Sequence, residues 1–207
     1  MNLYFRFGRS MVKVFANLFL GYSVSGSENI PDTGAAIIAS NHISNFDPPL
    51  VGSGSRREVF FFAKSELFGK WYSPIFISNF NTIPVKRGRF DRESYIRGIE
   101  ILNAGELLLL FPEGTRSRDG KVKEGKTGAA RLSLETGSPV VPACIQNSNR
   151  IKDTIFSRER VMVSFGAPIL PQTYENEQNE KEKLRQFTDD MMAAIRHLQR
   201  ALTERTT

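Results

Sequence analysis

One histidine and one aspartate stand close together in a short polar block that follows an apolar run. His42 is one of only two histidines among 207 residues, and Asp47 follows it five positions later, directly before a Pro-Pro pair. Four intervening residues let a loop fold the imidazole back onto the carboxylate. That contact would fix the ring tautomer and support the charge that His42 acquires on taking a proton. The pair therefore has the chemistry of a general base and the group that orients it.

The same pair also has a purely structural interpretation, in which His42 closes a loop and Asp47 caps a helix. Proline is favoured in the first turn of a helix, so we expect a helix that opens at Pro48 with Asp47 as its N-cap. The apolar run 35–39 is typical of a buried strand, and open α/β sheets place ligand chemistry beyond the carboxyl ends of strands. His42 is thus expected at the edge of a sheet.

A second polar turn follows another apolar strand pattern, and it favours the chemical interpretation. Four leucines at 107–110 lead into Phe-Pro-Glu-Gly-Thr-Arg-Ser at 111–117, and the first block reads Asn-His-Ile-Ser-Asn-Phe-Asp-Pro at 41–48. Together these two blocks resemble the hallmark blocks of the 1-acylglycerol-3-phosphate acyltransferase family. The resemblance runs from residue 28 to residue 170 and includes further similar stretches at 62–68, 83–87, 128–132 and 139–145.

The resemblance implies an enzyme that esterifies the sn-2 hydroxyl of 1-acylglycerol 3-phosphate from acyl-CoA or acyl-carrier protein, giving phosphatidate. It implies His42 as the base, Asp47 as its orienter, and an acceptor-phosphate site made of Lys64, Arg87, Glu113, Gly114, Thr115 and Arg116. The arginines and the lysine suit that site because a guanidinium can pair two phosphate oxygens and an ammonium supplies a point charge. A thioester donor is already activated, so we expect neither a metal nor a redox cofactor.

Three features of such a site stay open. Glu113 could contact the acceptor directly or brace a nearby cation. The oxyanion donors could be backbone amides near the start of the Pro48 helix or at Gly114. Related acyltransferases use other lysophospholipids or lyso-lipids with the same blocks, so another acceptor is the main alternative within the enzyme class.

Two rival functions remain. A hydrolase would use Ser44 as a nucleophile beside His42, although the chain contains no Gly-x-Ser-x-Gly elbow. A non-catalytic lipid-binding module would need a basic face and an apolar helix but not the pair of His42 and Asp47. His197 lies far from both blocks and is expected to be an ordinary residue of a closing helix.

The charge of the chain points to an anionic partner. The net charge is +6 and the sequence pI is about 9.6. Residues 56–131 hold fifteen Lys and Arg against nine Asp and Glu, whereas residues 172–207 hold six against seven. The excess therefore surrounds the two blocks, which suits a phosphorylated substrate or a phospholipid surface. Nucleic acid is disfavoured because no zinc-finger, homeodomain or RNA-recognition signature is present.

Residues 1–24 combine aromatic and aliphatic side chains with Arg6, Arg9 and Lys13. The uncharged part begins at Val14 and is shorter than the roughly 20 apolar residues of a spanning helix. We expect an amphipathic helix in the plane of the membrane interface, which would place the protein as a peripheral or monotopic enzyme on the cytoplasmic face. A plain helix packed on the core and a signal peptide cleaved near Ser23-Val24-Ser25 are the alternatives.

Strand and helix patterns alternate along the rest of the chain. They predict a single α/β domain with a largely parallel central sheet flanked by helices, as the family resemblance also implies. Predicted strands are 35–39, 59–63, 81–85, 107–111, 140–145 and 160–165, and predicted helices are 92–104, 126–136 and 175–203. We divide the chain into an N-terminal segment, 1–27, and an acyltransferase domain, 28–207. The lone cysteine, Cys144, lies in an apolar run and is expected to be buried and inert.

Overall fold

The architecture was obtained as a computed structural model, and it describes residues 3–64, 81–85, 92–151 and 160–205. Within these ranges seven strands form one sheet in the order β1-β7-β6-β2-β5-β3-β4, and every neighbouring pair is parallel except β6 and β7. The predicted α/β fold with a largely parallel sheet is confirmed. The strands are β1 Ser23–Ser25, β2 Ala36–Ser40, β3 Val59–Lys64, β4 Thr82–Val85, β5 Leu107–Leu110, β6 Val140–Gln146 and β7 Met162–Phe165.

The central strands are apolar because both faces of the sheet are covered. Every residue of β2 and β5 is buried, as expected for parallel strands with helices on both sides. Alternate residues point to opposite faces, so Ile38 joins the core layer of α1 and α2, while Ile37 joins the layer of the other three helices. The described helices are α1 Leu3–Leu20, α2 Asp47–Gly54, α3 Arg92–Asn103, α4 Gly128–Thr136 and α5 Glu180–Glu204.

Three helix starts differ from the sequence prediction: those of α2 and α5, and that of α4, which begins at Gly128 and not at residue 126. Asp47 is not the N-cap of α2 but lies inside its first turn; Phe46 is the N-cap, and Pro48 and Pro49 follow. α5 begins at Glu180 and not at Glu175, because the Asn179 side chain accepts hydrogen bonds from the amides of Lys181 and Glu182. A side-chain acceptor at this position satisfies amides that have no partner within the helix, which fixes the start there.

The N-terminal segment contains the helix α1 and the first strand of the sheet, β1. α1 packs against α2, and the Arg9 guanidinium donates to the backbone oxygen of Ser53. β1, at Ser23–Ser25, pairs in parallel with β7, so cleavage beside these serines would remove a strand from the sheet. The boundary at residue 27 stays a prediction. Among the described residues, no helix is both long enough and apolar enough to cross a membrane.

Candidate active site

The chemically active residues gather at one edge of the sheet. β6, β2 and β5 lie side by side in parallel, so their carboxyl ends open on the same edge. His42 follows β2, the turn 111–117 follows β5, and Ser148 follows β6. This edge is where open α/β sheets bind their ligands. Hydrogen bonds join the segments after β5 and β6 to the segment after β2.

The predicted contact between His42 and Asp47 is present. The imidazole Nδ1 lies 2.7 Å from Asp47 Oδ2, and the Asp47 side chain is fully buried while that of His42 keeps 19% of its surface exposed. The loop between them folds back as the five-residue spacing predicted.

The Asp47 carboxylate is surrounded by donors. Its Oδ2 atom accepts hydrogen bonds from the amides of Ile43 and Ser44, each at 2.7 Å, in addition to the contact with His42. Its Oδ1 atom accepts the hydroxyl of Ser148. A buried carboxylate is costly unless it is paired and hydrogen-bonded, and these four donors meet that need. An ionised carboxylate only accepts, so His42 Nδ1 donates, which leaves Nε2 as the nitrogen able to take a proton.

An aromatic ring that stacks on the imidazole also fixes its orientation. The Phe111 ring stacks on His42 with centroids 4.1 Å apart and planes inclined by 23°. Because Phe111 is the first residue after β5, the second block supplies one wall for the base of the first block. The ring of His42 is therefore held by a carboxylate at its edge and by an aromatic face.

Two backbone hydrogen bonds join the second block to His42. The His42 amide donates to Glu113 Oε1 at 3.2 Å, and the Ser117 amide donates to the His42 carbonyl at 2.7 Å. Glu113 is buried, and its Oε2 atom has no hydrogen-bond partner among the described residues. Burial raises the pKa of Glu113, and the hydrogen bond from His42 acts in the opposite direction. Glu113 thus braces the backbone of the base.

Asn41 connects the same corner to β6. Its side-chain Nδ2 donates to the Ile145 carbonyl at 3.0 Å, and its Oδ1 accepts the Ile145 amide at 2.8 Å. Asn41 is fully buried. Its two side-chain bonds extend the pairing of β2 with β6 by one residue beyond Ser40, the last residue of β2. The sequence interpretation missed Asn41, Phe111, Ser117 and Ser148 as site residues. Asn41, Phe111 and Ser148 share a signal, a position within two residues of the end of a strand, whereas Ser117 lies seven residues beyond β5.

The remaining predicted phosphate residues lie in the turn after β5 or beyond the described residues. Thr115 and Arg116 are exposed, and Gly114 adopts the left-handed conformation with φ +69°. A Cβ atom at Gly114 would lie 2.9 Å from Lys126 Nζ, so this ammonium sits directly over the turn. Lys64 ends β3 at the same edge of the sheet, but its side chain lies outside the described residues, as does the whole of Arg87.

Both sources predicted for the oxyanion donors are already engaged. The Gly114 amide donates to the Phe111 carbonyl at 3.0 Å. At the start of α2, prolines 48 and 49 have no N–H, and the Asp47 and Leu50 amides donate to the carbonyls of Ser44 and Phe46. The amides named for this task are therefore not free in this conformation.

Three other residues behave as the sequence indicated or rule out an alternative. Cys144 is fully buried, and burial raises the pKa of its thiol to about 12, so the thiolate nucleophile is suppressed. His197 is exposed on α5. Ser44 accepts a hydrogen bond from the Phe46 amide, and within the described part of the chain no hydrogen bond joins its hydroxyl to His42. Ser44 is thus not arranged as an activated nucleophile.

Comparison with known proteins identifies the family of this chain. The acyltransferase family model matches residues 21–146. The 1-acyl-sn-glycerol-3-phosphate acyltransferase of Bacillus subtilis is 27% identical over 202 residues, which cover 97% of this chain and 99% of that protein. The enzyme of the same name from Borreliella burgdorferi is 32% identical over 138 residues, covering 65% of this chain. The chain thus spans nearly all of the first relative, but its match covers only 55% of the second.

A solved structure shares the fold. The crystal structure of the 1-acyl-sn-glycerophosphate acyltransferase PlsC from Thermotoga maritima superposes with a TM-score of 0.72 and 28% sequence identity. The match covers 96% of this chain and 78% of that one. The likeness therefore extends beyond the two sequence blocks to nearly the whole chain.

Proposed function

This chain belongs to the acyltransferase family, and from that premise we propose that it moves a fatty acyl group from a thioester donor to the sn-2 hydroxyl of 1-acylglycerol 3-phosphate. The product would be phosphatidate. The observation that carries the proposal is the buried Asp47 carboxylate held 2.7 Å from His42 Nδ1, which leaves Nε2 as a base at the sheet edge. The names of the B. subtilis and B. burgdorferi relatives support the choice of acceptor.

The proposed reaction proceeds by direct attack of the acceptor on the donor. The acceptor oxygen forms a bond to the thioester carbonyl carbon while His42 Nε2 takes the hydroxyl proton. The tetrahedral intermediate then breaks its carbon–sulfur bond, and the imidazolium returns the proton to the departing thiolate. Asp47 stabilises the imidazolium between these steps, as a buried carboxylate beside a general base does. No covalent acyl-enzyme is needed.

The acceptor phosphate would bind over the turn after β5. Arg116 is exposed there, and the neighbouring Glu113 and Ser117 both bond to the backbone of His42. Hydrogen bonds thereby join the turn proposed for the phosphate to the loop that carries the proposed base. We assign Lys64 and Arg87 to the same phosphate from the sequence, and Gly114 and Thr115 to the shape of the turn. Glu113 acts as a brace, because a carboxylate repels a phosphate and its Oε1 atom already holds His42.

The membrane surface is the proposed source of the acceptor. α1 exposes a large apolar stripe, in which Leu18 is 73% and Phe7 is 66% exposed, together with Met11, Val14, Phe15 and Phe19. Its opposite side packs on the core through Ala16 and Leu20. A helix with such a face inserts into the boundary between headgroups and acyl chains. Arg9, predicted as one of the basic residues of this interface helix, instead donates to the backbone oxygen of Ser53 on the packed side of α1. From the apolar stripe we therefore propose a peripheral position on the cytoplasmic face, where acyl-CoA or acyl-carrier protein is available.

A direct assay tests the acceptor and the reaction together. Purified protein is given acyl-CoA or acyl-carrier protein with an equimolar mixture of lyso-acceptors, and ester products are identified by mass spectrometry. Phosphatidate should form first. Preference for another lyso-lipid would overturn the acceptor but leave acyl transfer intact. Release of free fatty acid with no ester product would instead favour a hydrolase.

The non-catalytic alternative is separated by a second measurement. A lipid-binding module would bind anionic vesicles and show no turnover with any acceptor or donor. An enzyme loses turnover in His42→Ala while its vesicle binding stays unchanged, because His42 lies at the sheet edge and not in α1.

A further inference from the structure

Ser148 is a buried hydroxyl that reaches the site from a distant part of the chain. It opens the short 3-10 turn Ser148–Arg150, directly after β6, and is 1% exposed. Its hydroxyl donates to Asp47 Oδ1, across 101 positions of sequence. It belongs to neither of the two blocks that carry the family resemblance.

The two oxygens of Asp47 are served by different parts of the molecule. Oδ2 receives three donors, and all of them come from residues 42–44 of the same loop. Oδ1 receives one donor among the described residues, the Ser148 hydroxyl. The loop that carries His42 is therefore not sufficient to satisfy the carboxylate. Without Ser148, one oxygen of a fully buried carboxylate would have no described partner.

The turn that carries Ser148 is anchored on both sides. Ahead of it, Ile145 is held by the Asn41 side chain through two hydrogen bonds of 3.0 and 2.8 Å. Asn147 adopts the left-handed conformation with φ +65°, and its side chain donates to the Arg160 carbonyl at 2.9 Å. The Arg150 amide closes the turn on the Asn147 carbonyl. Ser148 is thus presented by fixed backbone.

We propose that Ser148 is a positioning residue for the catalytic base, acting through Asp47. Its hydroxyl holds the plane of the carboxylate, so that Oδ2 stays directed at His42 Nδ1. Hydrogen bonding to the charged form of a carboxylate favours that form. This role rests on the proposed acyl transfer with His42 as base, but the contact itself is testable without turnover.

Several charged or titratable groups surround the His42–Asp47 pair and would also influence its titration. Asp47 faces His42 from α2, and Glu113 bonds to the His42 backbone from the turn after β5. Cys144, on β6, lies within electrostatic range of both carboxylates. The Lys123 ammonium acts on Glu113 from the following loop. A change confined to Ser148 leaves all four groups in place. A shift in the titration of the His42–Asp47 pair can then be assigned to the lost donor.

The first test is kinetic. Ser148→Ala should lower kcat by about 10–100-fold, the effect of one lost hydrogen bond to a charged group, with KM for acceptor and donor unchanged. Ser148→Thr, which keeps a hydroxyl, should recover most of this loss. The matched control is Ser133→Ala, which removes another fully buried serine hydroxyl whose acceptor is the Ser138 carbonyl in a different region. The control should leave kcat unchanged.

The second test needs no substrate and therefore stands apart from the proposed function. The chain has two histidines, so 15N-histidine spectra with a His197→Gln variant assign His42 directly. The unaltered protein should show the proton on Nδ1 at high pH. In Ser148→Ala the His42–Asp47 pair should take up its next proton about one pH unit higher, because the anion has lost a donor.

Each outcome decides the proposal. A shifted titration with restored behaviour in Ser148→Thr supports it, even if the acceptor proves to be a different lipid. An unchanged titration in Ser148→Ala overturns it, as does an equal loss of kcat in Ser133→Ala. If Ser148→Ala does not fold, Ser148→Cys keeps the volume with a weaker donor, and the same upward shift at smaller size is required.

Discussion

The turn after β2 and the turn after β5 follow equivalent buried strands, yet they are built in opposite ways. In the first, the Asp47 carboxylate is fully buried and accepts from four donors. In the second, Arg116 is exposed, as are Arg118, Lys121, Lys123 and Lys126 in the loop that follows it. The first turn holds its carboxylate among fixed protein dipoles, whereas the second buries Glu113 but leaves its cations in water.

The difference fits the roles proposed for the two turns, a catalytic base in the first and phosphate binding in the second. A base must meet its substrate in one orientation, so the cost of burying Asp47 is offset by hydrogen bonds that hold His42 still. A phosphate-binding turn has to release its ligand, and an unpaired buried cation would be costly while the site is empty. Hydrated cations avoid that cost. We therefore expect substitutions in the first turn to lower kcat and those in the second to raise KM.

The largest effect is expected from His42→Ala. Removing the base should lower kcat by about 10²–10⁴-fold, measured as ester product at saturating donor and acceptor. His197→Ala removes the other histidine, which is exposed on α5, and should leave kcat unchanged. Full turnover in His42→Ala would break the contrast between the two turns, because the buried one would then have no chemical role.

A smaller effect with a different signature is expected from Arg116→Ala. Loss of one charged contact with phosphate should raise KM for the acceptor by about 10–100-fold and leave kcat nearly constant. Arg97→Ala is the matched control, since Arg97 is exposed on α3 and pairs with Glu100. A fall in kcat at unchanged acceptor KM would contradict the role assigned to Arg116.

The exposed face of α1 adds a third region to the comparison, and its proposed role is membrane contact. Leu18→Ser should weaken binding to anionic vesicles by about tenfold or less, since it removes one large apolar side chain from the interface. Leu170→Ser is the control, because Leu170 is 52% exposed but lies far from α1 in sequence. Vesicle sedimentation measures both, and equal losses in the two variants would speak against a specific role of α1.

The smallest effect concerns stability and pH. Burial raises the pKa of Glu113 in the folded protein, so its protonated form is favoured there. That contribution is complete below the unfolded pKa of about 4.3 and is lost as the pH rises through the folded pKa. The free energy of unfolding, relative to Glu113→Gln, should therefore decline from pH 4 to pH 7 in urea titrations. Exposed Glu204→Gln should show no such trend, and a rising difference for Glu113 would contradict its buried state.

The sequence by itself determined six of the seven described strands, the fold class and the contact between His42 and Asp47; it missed the three-residue edge strand β1. These depend on short-range patterns: aliphatic runs specify buried strands, and a five-residue spacing closes one loop. The same local reasoning misplaced the N-cap of α2, because the prolines that mark the helix start also permit Asp47 inside the first turn. The Asp47 carboxylate does not cap the helix; it accepts hydrogen bonds from the amides of Ile43 and Ser44 in the preceding loop.

Only the tertiary structure decided which distant residues complete the site. Ser148 reaches Asp47, Glu113 reaches the His42 amide, and Asn41 reaches Ile145, across 101, 71 and 104 positions of sequence. No local pattern encodes such pairs, because they arise from the order of β6, β2 and β5 in the sheet. The outward direction of the apolar stripe on α1 has the same origin: amphipathicity shows that a helix has two faces, and packing against α2 selects the one that stays exposed.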